Sequence, residues 1–137
     1  NGTSTDRLNI FINGSQVSES TRYGGHPPSG RDSYANTSTK EFNIGHTTTY
    51  NGNTNGLFSE FAFIDGSVVA ASTFGEDKGG TWSAKDFKDD VTFGNNGFYL
   101  NFSNSSALGE DFSGNDNDFT LSNIASDHQV TDDLPPT

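Results

Sequence analysis

The sequence predicts an all-β domain, an antiparallel β-sandwich, and three observations lead to this prediction. Short apolar runs are bounded by Gly or Asn, as in the runs from Leu8 to Ile12 and from Leu57 to Ile64. Apolar and polar residues alternate in several of these runs, and this is the period of a half-buried strand. Helical patterns are confined to residues 68–72 and 83–90, each long enough for one or two turns.

The first predicted element is a hairpin near the N-terminal end of the chain. The alternating run 8–12 ends at Asn13-Gly14, the pair typical of a type I′ turn, and a short return strand then reaches Val17. Residues 18–40 contain Gly-Gly and Pro-Pro pairs and are predicted to form a long loop. Residues 47–55, rich in Gly and Asn, are predicted to form a turn.

Further strands are predicted at 42–44, 57–64, 98–102 and 119–124. The run 57–64 is the strongest of these. Its alternation places Phe61 and Phe63 on one face and Glu60, Ala62 and Ile64 on the other, so that one face is aromatic. Trp82 is expected to hold the 75–90 loop against the sheet.

The composition indicates one domain with a thin, aromatic core. Leu, Ile, Val and Phe make up 28 of the 137 residues, and 12 of these are Phe. That apolar fraction is close to the lower limit for independent folding. We therefore expect one module over residues 1–130, followed by a Pro-containing linker at 131–137. The module is either complete in itself or completed by a neighbouring segment or chain.

The formal net charge is −11, with seven basic residues. Because affinity for phosphate backbones comes from Lys and Arg, we expect no nucleic-acid partner. The chain has no Cys, which excludes disulfides and thiolate metal sites. No apolar run approaches the roughly 18 residues of a membrane helix, so we expect no membrane insertion. An acidic, polar surface of this kind fits a saline extracellular setting.

Catalytic patterns are weak in this sequence. Glycoside hydrolysis on a sandwich of this kind uses acidic residues at i and i+2 of one strand, but Glu60 is followed at i+2 by Ala62. Asp65 lies five residues from Glu60 and points to the opposite face. No Gly-x-Ser-x-Gly elbow occurs, and the three His are far apart. We expect a protein that is not an enzyme.

An Asx-rich loop is the candidate metal site. Its oxygen-bearing side chains, which suit Ca²⁺, belong to Asp111, Asn115, Asp116, Asn117 and Asp118. Loops of this composition also form turns in which the side chains bond to their own backbone. Calcium binding and a turn network are therefore the two interpretations, and calcium is the one cofactor that the sequence suggests.

A candidate carbohydrate site lies in two loops that combine aromatic rings with amides and imidazoles. Its predicted contacts are Tyr23, His26, Tyr34, His46, Tyr50, Asn51, Asn53 and Asn55. Tyr in loops is frequent in recognition surfaces. The alternative is that these side chains pack under a loop or against a neighbouring subunit.

The order of several segments resembles the laminin-G-like branch of the concanavalin A-like lectin/glucanase superfamily. The resemblance rests on the strand and turn at 8–14, on Phe-Asn-Ile-Gly at 42–45, and on the strand at 56–65. A second set of motifs looks like those of virion or tail-fibre proteins of marine, cyanophage-like bacteriophages. These motifs are Ile64-Asp65-Gly66, Phe74-Gly75-Glu76, Thr81-Trp82, and the segments 94–102 and 111–119. The resemblance extends over residues 6–135.

The resemblance implies a jelly-roll sandwich that serves as a structural module on the virion surface, in an extracellular setting. Its implied partners are other virion chains, copies of itself in a homo-oligomer such as a trimer, and host surface glycans. Two forms of the fold stay open: a fragment of a longer protein, or a sandwich that residues 98–124 complete in permuted order. An alternative function is a secreted bacterial lectin-like module assisted by calcium. A carbohydrate-active enzyme domain is the third.

Overall fold

The computed structural model describes residues 8–17, 28–30, 40–47 and 52–130. The chain divides into two compact units, Asn1–Gly56 and Leu57–Thr137. The described residues form four two-stranded antiparallel sheets and one four-residue α-helix. The predicted β-rich class is therefore confirmed at the level of small antiparallel sheets. Within the described ranges, no helix combines the length and the apolar character needed to cross a membrane.

The N-terminal hairpin forms as predicted. Strand β1 (Phe11–Ile12) pairs with β2 (Ser15–Gln16), and the two residues between them make the turn. Asn13 and Gly14 both have positive φ, 49° and 72°, as a type I′ turn requires. Asn and Gly tolerate this region of backbone space better than other residues, which explains why the pair is so informative in a sequence.

The second hairpin of unit 1 differs from the prediction. Strand β3 (His46–Thr47) pairs with β4 (Gly52–Asn53), so both strands lie at the edges of the segment predicted as a turn. The strand predicted at 42–44 is wrong, because those residues have no strand pairing. Gly45 follows them with a φ of 78°, and this left-handed residue ends the extended backbone before β3 begins.

Unit 2 contains the remaining elements, which are β5 (Phe61–Phe63), α1 (Ala71–Phe74), β6 (Gly75–Asp77), β7 (Trp82–Ala84) and β8 (Phe98–Leu100). The helical turn predicted within 68–72 forms slightly later, at Ala71–Phe74, and the segment 83–90 has a single helical turn at its end. That second segment holds the end of β7 and a 3₁₀ turn at Lys88–Asp90. Pairing of β6 with β7 outweighs the weak helical pattern of so short a segment.

Trp82 helps to explain the β6–β7 hairpin. Its indole lies so close to Gly75 that a Cβ at that position would overlap the ring and the Ser83 carbonyl. Gly75 therefore admits the tryptophan against the backbone of β6. This contact orders the hairpin within the 75–90 loop, where the sequence predicted a role for Trp82.

The centre of unit 2 is the antiparallel pair of β5 and β8, in which Phe61, Ala62 and Phe63 oppose Leu100, Tyr99 and Phe98. The alternation predicted for β5 is confirmed. Phe61 and Phe63 lie on one face, and their ring centroids are 5.9 and 5.7 Å from that of Phe98. The strands are shorter than predicted. At the end of β8, Phe102 has a φ of 55°, which ends the extended backbone.

The other face of the β5–β8 pair carries the buried core. Tyr99 packs between Phe87 and Phe93, with ring centroids 5.2 and 6.0 Å away. Ala62 and Ile64 pack against this cluster from β5. All three residues of β8 are buried, so this strand is covered on both faces.

The strand predicted at 119–124 is wrong. Phe119 instead packs edge-on against Phe98, with the centroids 4.7 Å apart, and its N–H donates to the Gly109 carbonyl at 2.8 Å. Further along, Asn123 has a φ of 57°, which interrupts any extended run. Phe119 thus covers a sheet face without joining a sheet, while Leu121 and Ile124 are 40% and 51% exposed.

Candidate functional site

The Asx-rich loop that follows residue 110 is built around Asp111, a residue that is 7% exposed. Its Oδ1 accepts hydrogen bonds from the backbone N–H groups of Tyr99 and Ser113, each at 2.8 Å. Its Oδ2 accepts from the Ser113 hydroxyl at 2.8 Å and from the Asn117 N–H at 3.0 Å. One carboxylate therefore joins β8 to the loop.

Two amide side chains of the loop bind the turn that precedes β8. The Asn115 Nδ2 donates to the carbonyls of Gly94 and Gly97, at 2.6 and 2.9 Å. The Asn117 Nδ2 donates to the same Gly97 carbonyl at 2.9 Å and to that of Asn95 at 3.3 Å. These hydrogen bonds satisfy backbone carbonyls of the turn, which lie outside the strand pairing.

The remaining acids of the loop behave differently from each other. The Asp118 Oδ1 accepts the Asp111 N–H at 2.8 Å and so closes the loop at its base. Asp116 is exposed and has a φ of 56°. These contacts are the ones expected of a turn network. In the described part of the chain, the His, Asp and Glu side chains nowhere form a group of three or more that could hold a metal ion. Calcium binding by Asp111, Asn115 and their neighbours stays a prediction.

The electrostatics of Asp111 follow from its contacts. Burial raises the pKa of a carboxyl, but the hydrogen bonds from Tyr99, Ser113 and Asn117 together outweigh burial and lower the pKa of Asp111. The group is therefore ionised over the whole physiological pH range. A buried carboxylate with this many donors is stable as a structural connection.

Glu60 and Tyr99 form a second polar contact, beside the aromatic core. The Tyr99 hydroxyl donates to the Glu60 Oε1. Burial raises the pKa of Glu60, the hydrogen bond from Tyr99 lowers it, and the nearby Asp86 raises it, so that the net direction is upward. Burial and the Glu60 contact also raise the pKa of Tyr99. Glu60 is half-buried, and its carboxylate is engaged by this hydrogen bond.

Part of the candidate carbohydrate site lies in the β3–β4 hairpin. His46 and Asn53 are opposite each other in the register, and the ring Nδ1–H of His46 donates to the Asn53 Oδ1 at 2.8 Å. Asn55 follows β4 and is exposed, as are His46 and Asn53. The other predicted contacts lie outside the described residues, and they are Tyr23, His26, Tyr34, Tyr50 and Asn51.

Among the clefts of the described part of unit 2 are two that the sequence did not predict. One has a volume of about 450 Å³ and lies between the 3₁₀ turn at Lys88–Asp90 and the turn at residues 94–95. The other, of about 320 Å³, includes Glu110, Asp118 and Phe119 in its lining. Both clefts combine residues from separate loops, and no local pattern in the sequence could have identified them.

A scan against protein-family models and searches of the curated proteins and of the solved structures each found no match.

Proposed function

We propose that this chain is a non-catalytic module of a phage virion, in a tail fibre or a surface appendage, with the antiparallel jelly-roll sandwich of the concanavalin A-like fold. In this proposal it packs against other virion chains and contacts host surface glycans. One observation carries the proposal. The two longest segments that resemble virion proteins, 94–102 and 111–119, are hydrogen-bonded to each other as one structural unit.

The polar residues of these segments support a structural role. Asp111, Asn115 and Asn117 make their hydrogen bonds to the backbone of β8 and of the turn before it. A catalytic centre needs polar groups that converge on a site for a substrate. Here the same groups hold one turn against another.

The position of Glu60 supports a protein that is not an enzyme. Its carboxylate accepts a hydrogen bond from the Tyr99 hydroxyl. At i+2, where a glycosidase of this fold would place its second acid, Ala62 packs against the aromatic core. The carboxylate thus completes a contact between β5 and β8.

Exposed apolar side chains favour assembly with further copies of the chain. A two-stranded hairpin is marginally stable by itself, and the two faces of β1 carry Phe11 and Ile12, which are 46% and 63% exposed. Unit 2 adds others. The exposed apolar residues that we expect copies of the chain to cover are Ile10, Phe11, Ile12, Leu57, Val68, Leu121 and Ile124.

Light scattering coupled to size exclusion tests the assembly. We expect an oligomer, with a trimer as the leading stoichiometry, that persists on dilution to micromolar concentration. A monomer at every concentration would contradict the virion proposal. It would favour the alternative, a secreted bacterial lectin-like module, because that function needs no assembly.

A glycan array tests recognition. The array is probed once with millimolar Ca²⁺ and once with chelator, since calcium assistance is part of the lectin alternative. We expect binding that falls when both His46 and Asn53 are replaced by Ala, because these two exposed groups already share a hydrogen bond. The matched control is the double replacement of Asn9 and Gln16, a similar exposed pair on the β1–β2 hairpin. Equal binding by both double variants would exclude the β3–β4 hairpin as the contact site.

A further inference from the structure

The larger of the two clefts described above, which we call the Lys88 cleft, is lined by four polar side chains that have no hydrogen-bond partner among the described residues. These four side chains belong to Lys88, Asp89, Thr92 and Asn95. Within the described residues, no hydrogen bond or ion pair engages any of these four side chains. This contrasts with the neighbouring loop, in which Asp111 accepts four hydrogen bonds.

The wall of the Lys88 cleft is held firmly. Asn115 lines it, and its amide donates to the carbonyls of Gly94 and Gly97, which fixes the loop wall to the turn wall. Below them Phe93 is 6% exposed and stacks on Tyr99 in the core. Because these lining residues are already held in place, the cleft loses little conformational entropy when a ligand binds.

The chemistry of the lining favours a neutral polyhydroxylated ligand. Lys88 donates, Asp89 accepts, and Thr92 and Asn95 do both, which matches hydroxyl groups that also do both. Lys88 and Asp89 are the two charged residues of the lining, and their formal charges sum to zero. An anionic ligand would meet one Lys in a chain of net charge −11, and a phosphate site would need more cations.

We propose that the Lys88 cleft binds a neutral sugar residue. Its volume of about 450 Å³ falls within the range of small-molecule sites, roughly 300–1,000 Å³. Because the cleft is shallow, the affinity is expected to be weak, on the order of millimolar for a single sugar unit. This inference rests on the proposed glycan recognition and adds to it a second contact site, in unit 2.

The test is a titration of the full 137-residue chain with monosaccharides, followed by amide chemical shifts. The probes are glucose, galactose, mannose and N-acetylglucosamine, each used singly. We expect at least one sugar to shift the amides of residues 88–95 in a saturable way. The Lys88→Ala and Asn95→Ala variants should each weaken binding roughly 3- to 10-fold, as expected when one hydrogen-bonding group is lost. Lys78→Ala is the matched control, because Lys78 is also exposed but lies in the β6–β7 hairpin.

Two outcomes would overturn the inference. Shifts confined to His46 and Asn53 would place sugar binding in unit 1, and the proposed glycan recognition would stand without the Lys88 cleft. An absence of shifts at residues 88–95 with every sugar, in a sample with dispersed amide signals, would also remove the cleft as a sugar site. The proposed function would then still be decided separately, by the glycan array and the assembly measurement.

Discussion

At the scale of single residues, the Asp111 side chain accepts a backbone hydrogen bond from β8 that a neighbouring strand would otherwise accept. The Tyr99 N–H donates to its carboxylate, and the Tyr99 carbonyl accepts the Phe112 N–H at 2.8 Å. Both backbone groups of Tyr99 are thereby satisfied, although the loop at residues 111–112 is not a strand. Buried backbone groups without partners are costly, so the carboxylate stabilises the edge of β8.

The first prediction concerns this carboxylate. Asp111→Asn places an amide where two donors, the Ser113 hydroxyl and the Asn117 N–H, now point to an oxygen. We expect the free energy of unfolding to fall by about 2–4 kcal/mol in urea titrations. Asp116→Asn is the same chemical change at an exposed position, and it should alter stability by less than about 0.5 kcal/mol. Equal effects from the two variants would mean that Asp111 is not the structural connection.

The second prediction concerns pH and Glu60. Because the pKa of Glu60 is raised in the folded state, folding binds the proton more tightly, and stability falls as the pH rises from the ordinary Glu value through the raised one. The pKa of Asp111 is shifted in the opposite direction. Its lowered pKa means that stability is lost as the pH falls below the ordinary Asp value.

Urea unfolding measured from pH 3 to pH 8 separates these two effects. In Glu60→Gln, the loss of stability above the ordinary Glu pKa should be smaller than in the unchanged chain, while the loss on the acid side should persist. Glu76→Gln is the control, since Glu76 is half-exposed in a surface ion pair with Lys78. If the dependence of stability on pH were the same in Glu60→Gln as in the unchanged chain, the loss of stability on raising the pH would not come from Glu60.

At the scale of elements, unit 2 depends on β8, a strand of three residues buried on both faces. Phe98 contacts Phe61, Phe63 and Phe119 on one face, while Tyr99 contacts the core on the other. The single short ladder with β5 is not enough to hold such a strand in place. Its stability comes mainly from the burial of aromatic side chains and from the polar contacts of Asp111.

The third prediction tests that dependence. Phe98→Ala should cost about 3–5 kcal/mol of unfolding free energy, because a ring that is 5% exposed leaves a cavity among three others. Phe58→Ala is the matched control, and since Phe58 is 44% exposed we expect a loss below about 1 kcal/mol. Thermal or urea unfolding measures both. Similar losses would mean that the aromatic face of β5 and β8 does not carry the stability of unit 2.

At the scale of the whole molecule, the chain is divided into two units at Gly56. The aromatic clusters, the Asp111 network and the Lys88 cleft all lie within Leu57–Thr137. Every contact named for these features joins two residues of that unit. The named contacts of these features therefore lie inside unit 2.

The fourth prediction follows from this division. A chain of residues 57–137 produced alone should keep dispersed amide signals, near-ultraviolet circular dichroism from its aromatic core, and a cooperative urea transition. Asp111→Asn introduced into this shorter chain should lower its stability by the same amount as in the full chain. A shorter chain without cooperative unfolding would show that unit 2 depends on residues before Leu57.

Local features of this protein were predictable from the sequence by itself. The Asn13-Gly14 turn and the alternation of Phe61, Ala62 and Phe63 follow from backbone preferences and a period of two, which need no distant partner. The Asx character of the loop at 111–118 was equally visible. The composition also indicated that phenylalanine would supply most of the core.

Only the tertiary structure decided which groups meet. The segment that begins at Phe119 alternates like a strand, yet Phe119 covers Phe98 from a loop. Residues 42–44 do not form the predicted strand, and the left-handed Gly45 follows them. By sequence Asp111 is a candidate metal ligand or a turn residue, and only the structure shows that its carboxylate accepts the N–H of Tyr99, 12 residues away. The Lys88 cleft likewise exists because separate loops meet. Pairing over such distances depends on packing and loop closure across the whole unit, and a local pattern does not contain that information.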